Sequence, residues 1–108
     1  QVGDNVMRLK ELARELDIPV ICLAQVNRAC EERTNKRPGM GDIANSSEVE
    51  KEADQIMVLY RDEVYDESST DKGIAEINYV KNRHGPTGVV RVRWQAPFMR
   101  FCNLKEDY

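Results

Sequence analysis

Hydrophobic spacing divides the chain into two halves with different patterns. In residues 4–16, apolar side chains recur every three or four positions, which predicts an amphipathic helix. Residues 19–25 are an almost unbroken apolar run, typical of a strand buried on both faces in a parallel sheet. Residues 46–53 predict a short helix, and residues 55–60 predict a second buried strand. The first half therefore predicts an α/β fold with parallel core strands.

The second half alternates apolar and polar residues, the period of strands with one exposed face. This alternation occupies residues 75–79 and residues 90–94, and a turn-rich loop at 81–88 lies between them. A polar loop at 66–73 precedes the first of these strands, and residues 98–102 predict a last short strand after Pro97. We therefore expect the parallel core strands to be followed by an antiparallel C-terminal meander.

Length and charge limit what such a chain can do. Its 108 residues are enough for one domain with a single core. The net charge of −3 means that any contact with nucleic acid is local or is assembled from several copies. No apolar run is long enough to cross a membrane, and we expect a cytoplasmic protein. The first residue is not Met, which suggests a piece of a longer protein.

Two polar clusters follow or join predicted strands. Gln25, Asn27 and Arg28 stand at the carboxyl end of the first buried strand, where open α/β sheets bind ligands. Lys81 and Arg83 are two residues apart on an extended stretch, so both cations can point toward one anion. Spacing alone favours simpler interpretations, an ordinary strand end and a solvated hairpin tip.

A third cluster is the polar stretch at residues 29–42; together with Arg28 directly before it, we call it the basic loop, and its cations include Arg28, Lys36 and Arg37. On composition alone it is a solvated surface loop. The sequence contains no G-x-x-x-x-G-K-[ST] loop to hold phosphates, and its only histidine, His84, lies in the hairpin turn. Three cysteines and one histidine without ligand spacing predict no metal site. Taken alone, the chain has no complete active site.

Seven short blocks, in order, nevertheless resemble the DnaB family of replicative DNA helicases. They include Leu-Ala-Gln-Val-Asn-Arg at 23–28, Lys-Arg-Pro at 36–38, Tyr-Arg-Asp-Glu-Val-Tyr at 60–65 and Lys-Asn-Arg-x-Gly-Pro-x-Gly at 81–88. The resemblance runs from about residue 6 to residue 103 and corresponds to the C-terminal half of a RecA-like motor domain. The whole chain, residues 1–108, is thus expected to be a partial RecA-like fold, with the Walker A and Walker B elements upstream of it.

The resemblance implies a homohexamer that encircles single-stranded DNA and unwinds duplex DNA at the replication fork. ATP and Mg²⁺ bind between neighbouring subunits, mainly through the upstream elements, and primase and a helicase loader are the implied partners. Gln25 takes the position of a γ-phosphate sensor. Lys81 and Arg83 take the positions of an arginine finger that reaches the neighbouring subunit's γ-phosphate. The isolated chain is then expected to be inactive.

The family's DNA-contacting loop is altered in this sequence. The family reads Asp-Leu-Arg-Glu-Ser-Gly-Ser-Ile-Glu, whereas residues 42–50 read Asp-Ile-Ala-Asn-Ser-Ser-Glu-Val-Glu. Ala44, Asn45 and Ser47 therefore take the DNA-contacting positions without the family's arginine. A loop that has lost a cation holds phosphate less well. Either the protein belongs to a divergent branch, such as a phage or prophage one, or the cations of the basic loop compensate.

Two other functions fit parts of the pattern. Another RecA-type ATPase, such as a recombinase, shares the strand order and the terminal glutamine. An inactive, prophage-derived interaction fragment also fits a chain without a phosphate cradle. The Lys81-x-Arg83-x-Gly-Pro block and the Tyr-Arg-Asp-Glu block favour the helicase over the recombinase.

Overall fold

The computed structural model describes residues 2–44 and 46–104, with the side chains of these residues except 2–4 and 46. Two α-helices and four strands make up its regular structure, joined by short 3₁₀ turns. The helices are α1 (Val2–Leu16) and α2 (Ser46–Glu52). The strands are β1 (Gln55–Tyr60), β2 (Ile74–Asn82), β3 (Gly88–Gln95) and β4 (Arg100–Cys102).

Helix α1 confirms the first periodic segment and begins two residues earlier than predicted. Its end is set by Asp17, which adopts a left-handed φ of 54°. The Ile18 N–H then donates to the Ala13 carbonyl at 3.1 Å, a bond characteristic of the Schellman motif. Pro19 follows and cannot continue the helix. None of the described helices is long and apolar enough to cross a membrane.

The four strands form one antiparallel sheet in the order β1-β2-β3-β4. The meander predicted for the second half is confirmed, with β2 paired to β3 and β3 paired to β4. In β1, Ile56, Val58 and Tyr60 are buried on one face, while alternate residues are exposed on the other. The sheet thus has one covered face and one open face along β1.

The second predicted core strand, residues 55–60, is confirmed as β1, but the predicted parallel pairing is absent from the described residues. Residues 19–25 have no regular secondary structure, and Ile21 and Leu23 are 84% and 91% exposed. The only described strand paired with β1 is β2, and that pairing is antiparallel. A strand buried on both faces needs partner strands for its backbone hydrogen bonds, and the described residues supply none to this run. The prediction of parallel pairing within this chain was therefore wrong.

The basic loop is ordered by its own polar contacts. Val26 and Ile43 close its base through an isolated antiparallel bridge. Within it, the Arg33 guanidinium donates to both carboxylate oxygens of Asp42 at 3.0 and 2.9 Å. The Gly39 N–H donates to the same carboxylate at 2.7 Å. The Arg33 contact, aided by Gly39, lowers the pKa of Asp42 to about 2, so the carboxylate stays charged at neutral pH.

Candidate functional site

The two hairpin cations are positioned by the end of β2. Lys81 is the penultimate residue of that strand, and Arg83 opens the loop to β3. The loop is closed by the Asn82 side chain, which donates to the Pro86 carbonyl at 3.2 Å, and by the Gly85 N–H, which donates to the Asn82 carbonyl at 3.3 Å. This short closed loop holds both cations at one end of the sheet.

Lys81 and Arg83 both contact the C-terminal end of α2. The Lys81 ammonium donates to the Glu50 carbonyl, and the Arg83 Nη2 donates to the Lys51 carbonyl at 3.3 Å. The last carbonyls of a helix have no partner within it and carry partial negative charge, so cations are favoured there. The structure therefore brings the two predicted residues together at one helix end.

Arg83 also forms an ion pair with Asp54, the residue before β1. Its Nη1 lies 2.6 Å from Asp54 Oδ1. From α1, the Lys10 ammonium lies 2.6 Å from each oxygen of the same carboxylate. The Lys10 hydrogen bond, together with the positive charges of Lys10 and Arg83, lowers the pKa of Asp54 below its ordinary value. One charged carboxylate thus links α1, the α2–β1 junction and the hairpin.

Gln25 is exposed at the end of the apolar segment 19–25, next to a link with the predicted DNA loop. Val26, which follows it, bridges to Ile43, which directly precedes Ala44. Ala44 itself is exposed in a turn, and Ser47 is exposed in the first turn of α2. The predicted DNA contact at Asn45 lies outside the described residues. One backbone bridge therefore connects the segment that ends in Gln25 to the loop that carries Ala44.

The cations of the basic loop have different environments. Arg28 is exposed and forms no ion pair with the described part of the chain. The Lys36 ammonium donates only to the Arg33 carbonyl, at 3.4 Å, among the described residues. Arg37 instead donates to both oxygens of the buried Glu76 at 2.8 Å. Arg28 and Lys36 are therefore more available to an outside phosphate than Arg37.

Arg37 also stacks over an aromatic ring. Its guanidinium carbon lies 4.5 Å from the centre of the Tyr60 ring. The Tyr60 hydroxyl donates to Asp62 at 2.6 Å, and the Ser69 hydroxyl donates to the other Asp62 oxygen at 2.6 Å. Burial and the Asp62 hydrogen bond raise the pKa of Tyr60 to about 12. This polar network fixes the basic loop to the covered face of the sheet.

Comparison with known proteins identifies the family. Residues 1–103 match the family described as "DnaB-like helicase C terminal domain". The chain belongs to that family. Over 107 residues it is 53% identical to the replicative DNA helicase DnaB of Pasteurella multocida, covering 99% of this chain and 23% of that protein. The chain thus spans about a quarter of the length of this curated relative.

Solved structures agree with this family assignment. One is described as the structure of a DnaB-like replicative helicase and its interactions with primase. It is 41% identical, with a TM-score of 0.92, over 96% of this chain and 25% of that one. An ATPase domain is also 41% identical, with a TM-score of 0.91, over 95% of this chain and 36% of its own. The sheet and helices described above therefore have the fold of the corresponding part of these solved structures.

In this DnaB-family chain, three important partners were missed by sequence reasoning. They are the carboxylates that hold the arginines: Asp42, Asp54 and Glu76. Asp54 gives no periodic signal, and the alternation over residues 75–79 predicts that Glu76 lies on the exposed face of its strand. Both pair with residues far away in sequence, 29 and 39 positions apart. No local pattern reports such a pairing.

Among the described residues, the hairpin with Lys81 and Arg83 has the side chains best suited to contact a nucleotide phosphate. The hairpin offers two cations suited to phosphate oxygens, an arginine fork and a lysine point charge. The described residues include no group of three histidine, cysteine or acidic side chains placed to hold a metal ion. The three cysteines are free thiols. The hairpin cations of the described residues therefore have the chemistry that suits phosphate oxygens.

Proposed function

We propose that this chain, residues 1–108, is the C-terminal portion of the RecA-like motor domain of a hexameric, ATP-dependent replicative DNA helicase. Membership of the DnaB-like family supports this. The observation that carries the proposal is the placement of Lys81 and Arg83 side by side at one end of the sheet. The parallel part of the core is proposed to form with strands outside this chain, beside the exposed apolar residues 19–25.

Lys81 and Arg83 act on the nucleotide of the neighbouring subunit. As the terminal phosphoryl group is transferred, negative charge spreads over its oxygens, and fixed cations stabilise that charge. The Arg83 side chain is 38% exposed, so a phosphate can reach its guanidinium while the ion pair with Asp54 is in place. Without these cations ATP still binds through the other elements of the site, but transfer of its terminal phosphoryl group is slow.

Gln25 senses whether the γ-phosphate is present. A glutamine amide can donate to a phosphate oxygen and accept from water, so its orientation depends on nucleotide state. The Val26–Ile43 bridge supports a route from Gln25 to the DNA loop at Ala44. A shift of the Gln25 segment would move the loop through that single backbone contact. Nucleotide state and DNA contact are thereby coupled within one subunit.

The DNA loop comprises Ala44, Asn45 and Ser47, with added contacts from the basic loop. Ala44 has no charge to offer, so Arg28 and Lys36 supply the cations that meet the DNA backbone. Arg37 contributes by fixing the basic loop through Glu76. Single-stranded DNA is the ligand of this surface.

The remaining parts of the proposed helicase lie outside this chain. ATP and Mg²⁺ would be held mainly by the Walker A and Walker B elements, which the 108 residues do not contain. One solved relative is described with its primase interactions, and we extend primase and a helicase loader to this protein as partners. The proposed location is the cytoplasm, where chromosomal replication takes place in bacteria.

Arg83→Ala in the full-length helicase tests this function. ATP binding should be retained, while hydrolysis should fall by about 10³–10⁵-fold, the range for loss of an arginine finger. Arg91→Ala is the matched control, because Arg91 is an exposed arginine of β3 paired with Asp71 and lies in the sheet away from the hairpin tip. A rate equal to that of the parent for Arg83→Ala would exclude the proposed role.

A further inference from the structure

Asp54 holds Arg83 at two points. Its backbone N–H donates to the Asp54 carbonyl at 2.9 Å, and its Nη1 donates to the Asp54 carboxylate at 2.6 Å. Both the start and the tip of the Arg83 side chain are therefore fixed relative to Asp54. Lys81, in contrast, is held through the Glu50 backbone carbonyl. The carboxylate acts on the arginine of the hairpin and not on its lysine.

Asp54 is itself oriented by Lys10. The Lys10 ammonium contacts both carboxylate oxygens at 2.6 Å, so the carboxylate keeps its orientation even when Arg83 moves. The Lys10 side chain is only 18% exposed, whereas the Asp54 side chain is 49% exposed. Lys10 is thus the more buried partner of this carboxylate, and Arg83, whose side chain is 38% exposed, is the more accessible one.

The geometry leaves Arg83 able to bind a phosphate while it is held. A guanidinium has five N–H donors. Asp54 and the Lys51 carbonyl each receive one bond from a different terminal nitrogen of Arg83. The second N–H of each terminal nitrogen is left for an external anion. An arginine restrained in this way loses less side-chain entropy when it meets a phosphate.

We infer that Asp54, oriented by Lys10, is the positioning residue of the Arg83 finger. This inference rests on the proposed function, because it assigns a role to Asp54 only if Arg83 acts on a neighbour's nucleotide. Asp54 makes no contact with nucleotide in this scheme. It fixes where the guanidinium points, and misplacement of a reacting group by about 1 Å can slow a reaction by about 10²-fold.

Asp54→Ala and the near-isosteric Asp54→Asn, in the full-length helicase, test the inference. Both should lower kcat by about 10- to 100-fold, with less effect from Asn, and leave the KM for ATP nearly unchanged. Lys10→Met should give a smaller loss in the same direction, because the Asp54–Arg83 pair survives. Asp71→Ala is the matched control, since Asp71 also pairs with one arginine, at 2.8 Å, but not with the hairpin tip.

A double variant separates positioning from general stability. If Asp54 works only through Arg83, Asp54→Ala added to Arg83→Ala should cause no further loss of kcat. Independent losses that multiply would overturn the inference, as would loss of hexamers or of ATP binding in Asp54→Asn. Parental kcat in both Asp54 variants, beside an inactive Arg83→Ala, would also overturn it while leaving the proposed function intact. Parental activity of Arg83→Ala would instead refute the proposed function itself.

Discussion

The ion pair between Arg37 and Glu76 predicts unequal effects when either partner is removed. Its two N–H···O bonds are both 2.8 Å long. The Glu76 side chain is 11% exposed and the Arg37 side chain is 41% exposed. Loss of Arg37 leaves a buried carboxylate without its cation, whereas loss of the Glu76 charge leaves an arginine that water can reach. We therefore expect the arginine variant to be the less stable one.

The magnitudes follow from that difference in burial. Removing one partner of a fully buried pair costs about 3–5 kcal/mol. Because Arg37 remains partly in water, we discount this to about 2–3 kcal/mol for Arg37→Met. Met keeps apolar contact with the Tyr60 ring beneath it. Glu76→Gln keeps the shape and one acceptor, so we expect a loss of about 1 kcal/mol, that of one weakened hydrogen bond.

The effect should also depend on pH. The Arg37 hydrogen bonds lower the folded-state pKa of Glu76. A lowered folded pKa means that the pair stabilises the fold above the unfolded pKa of about 4.3, and that this stability is lost as the pH falls through the folded value. The deficit of Arg37→Met should therefore be full near neutral pH and should shrink below about pH 4.

Urea denaturation followed by far-UV circular dichroism measures these differences. Arg8→Met serves as the control, because Arg8 is exposed on α1 and forms no ion pair with the described residues. It should change the free energy of unfolding by less than about 0.5 kcal/mol. Equal destabilisation by Glu76→Gln and Arg37→Met, or an Arg37→Met deficit that is the same at acidic and neutral pH, would contradict the expected difference between the two partners.

Two further predictions concern the ligands. The isolated 108-residue chain should show no ATP binding by isothermal titration, because it lacks the loop that provides most nucleotide contacts in such enzymes; micromolar affinity would contradict this. In the full-length helicase, Ala44→Arg should tighten single-stranded DNA binding and steepen the log–log salt dependence by about 0.7 for each added phosphate contact. Ala44→Gln is its uncharged control, and an unchanged slope for the arginine variant would mean that position 44 does not face the strand.

Local sequence patterns predicted the elements whose partners are close in the chain. Alternation gave β2 and β3, and their hairpin needs only the intervening turn. Helix α1 followed from its periodicity and from the stop signal around Pro19. The parallel strand at residues 19–25 could not be obtained in this chain, because an apolar run becomes a strand only beside a neighbour that accepts its hydrogen bonds. The hydrophobicity of this segment indicated that it needs neighbouring strands, but it could not show that the described residues provide none.

The sequence predicted the cations of the candidate site but not the carboxylates that pair with the arginines. Lys81 and Arg83 were expected to share a direction, and both do reach the end of α2. Asp54 joins Arg83 to Lys10 of α1. This contact arises from the packing of three elements, so it leaves no periodic signal in the sequence. Glu76 fits an outward-facing position by alternation, but its face is covered by the basic loop. Burial of a charged residue follows from tertiary pairing, which a single sequence does not display.

The central claim is that Arg83 acts on the neighbouring subunit's nucleotide, and subunit mixing tests it most directly. Arg83→Ala subunits are combined in one ring with subunits that lack the Walker A lysine, each variant being inactive alone. Mixed rings contain some interfaces where an intact arginine meets an intact phosphate cradle. We predict that ATPase activity recovers in part and varies with the mixing ratio. No recovery at any ratio, with mixed rings demonstrated, would contradict action across the interface.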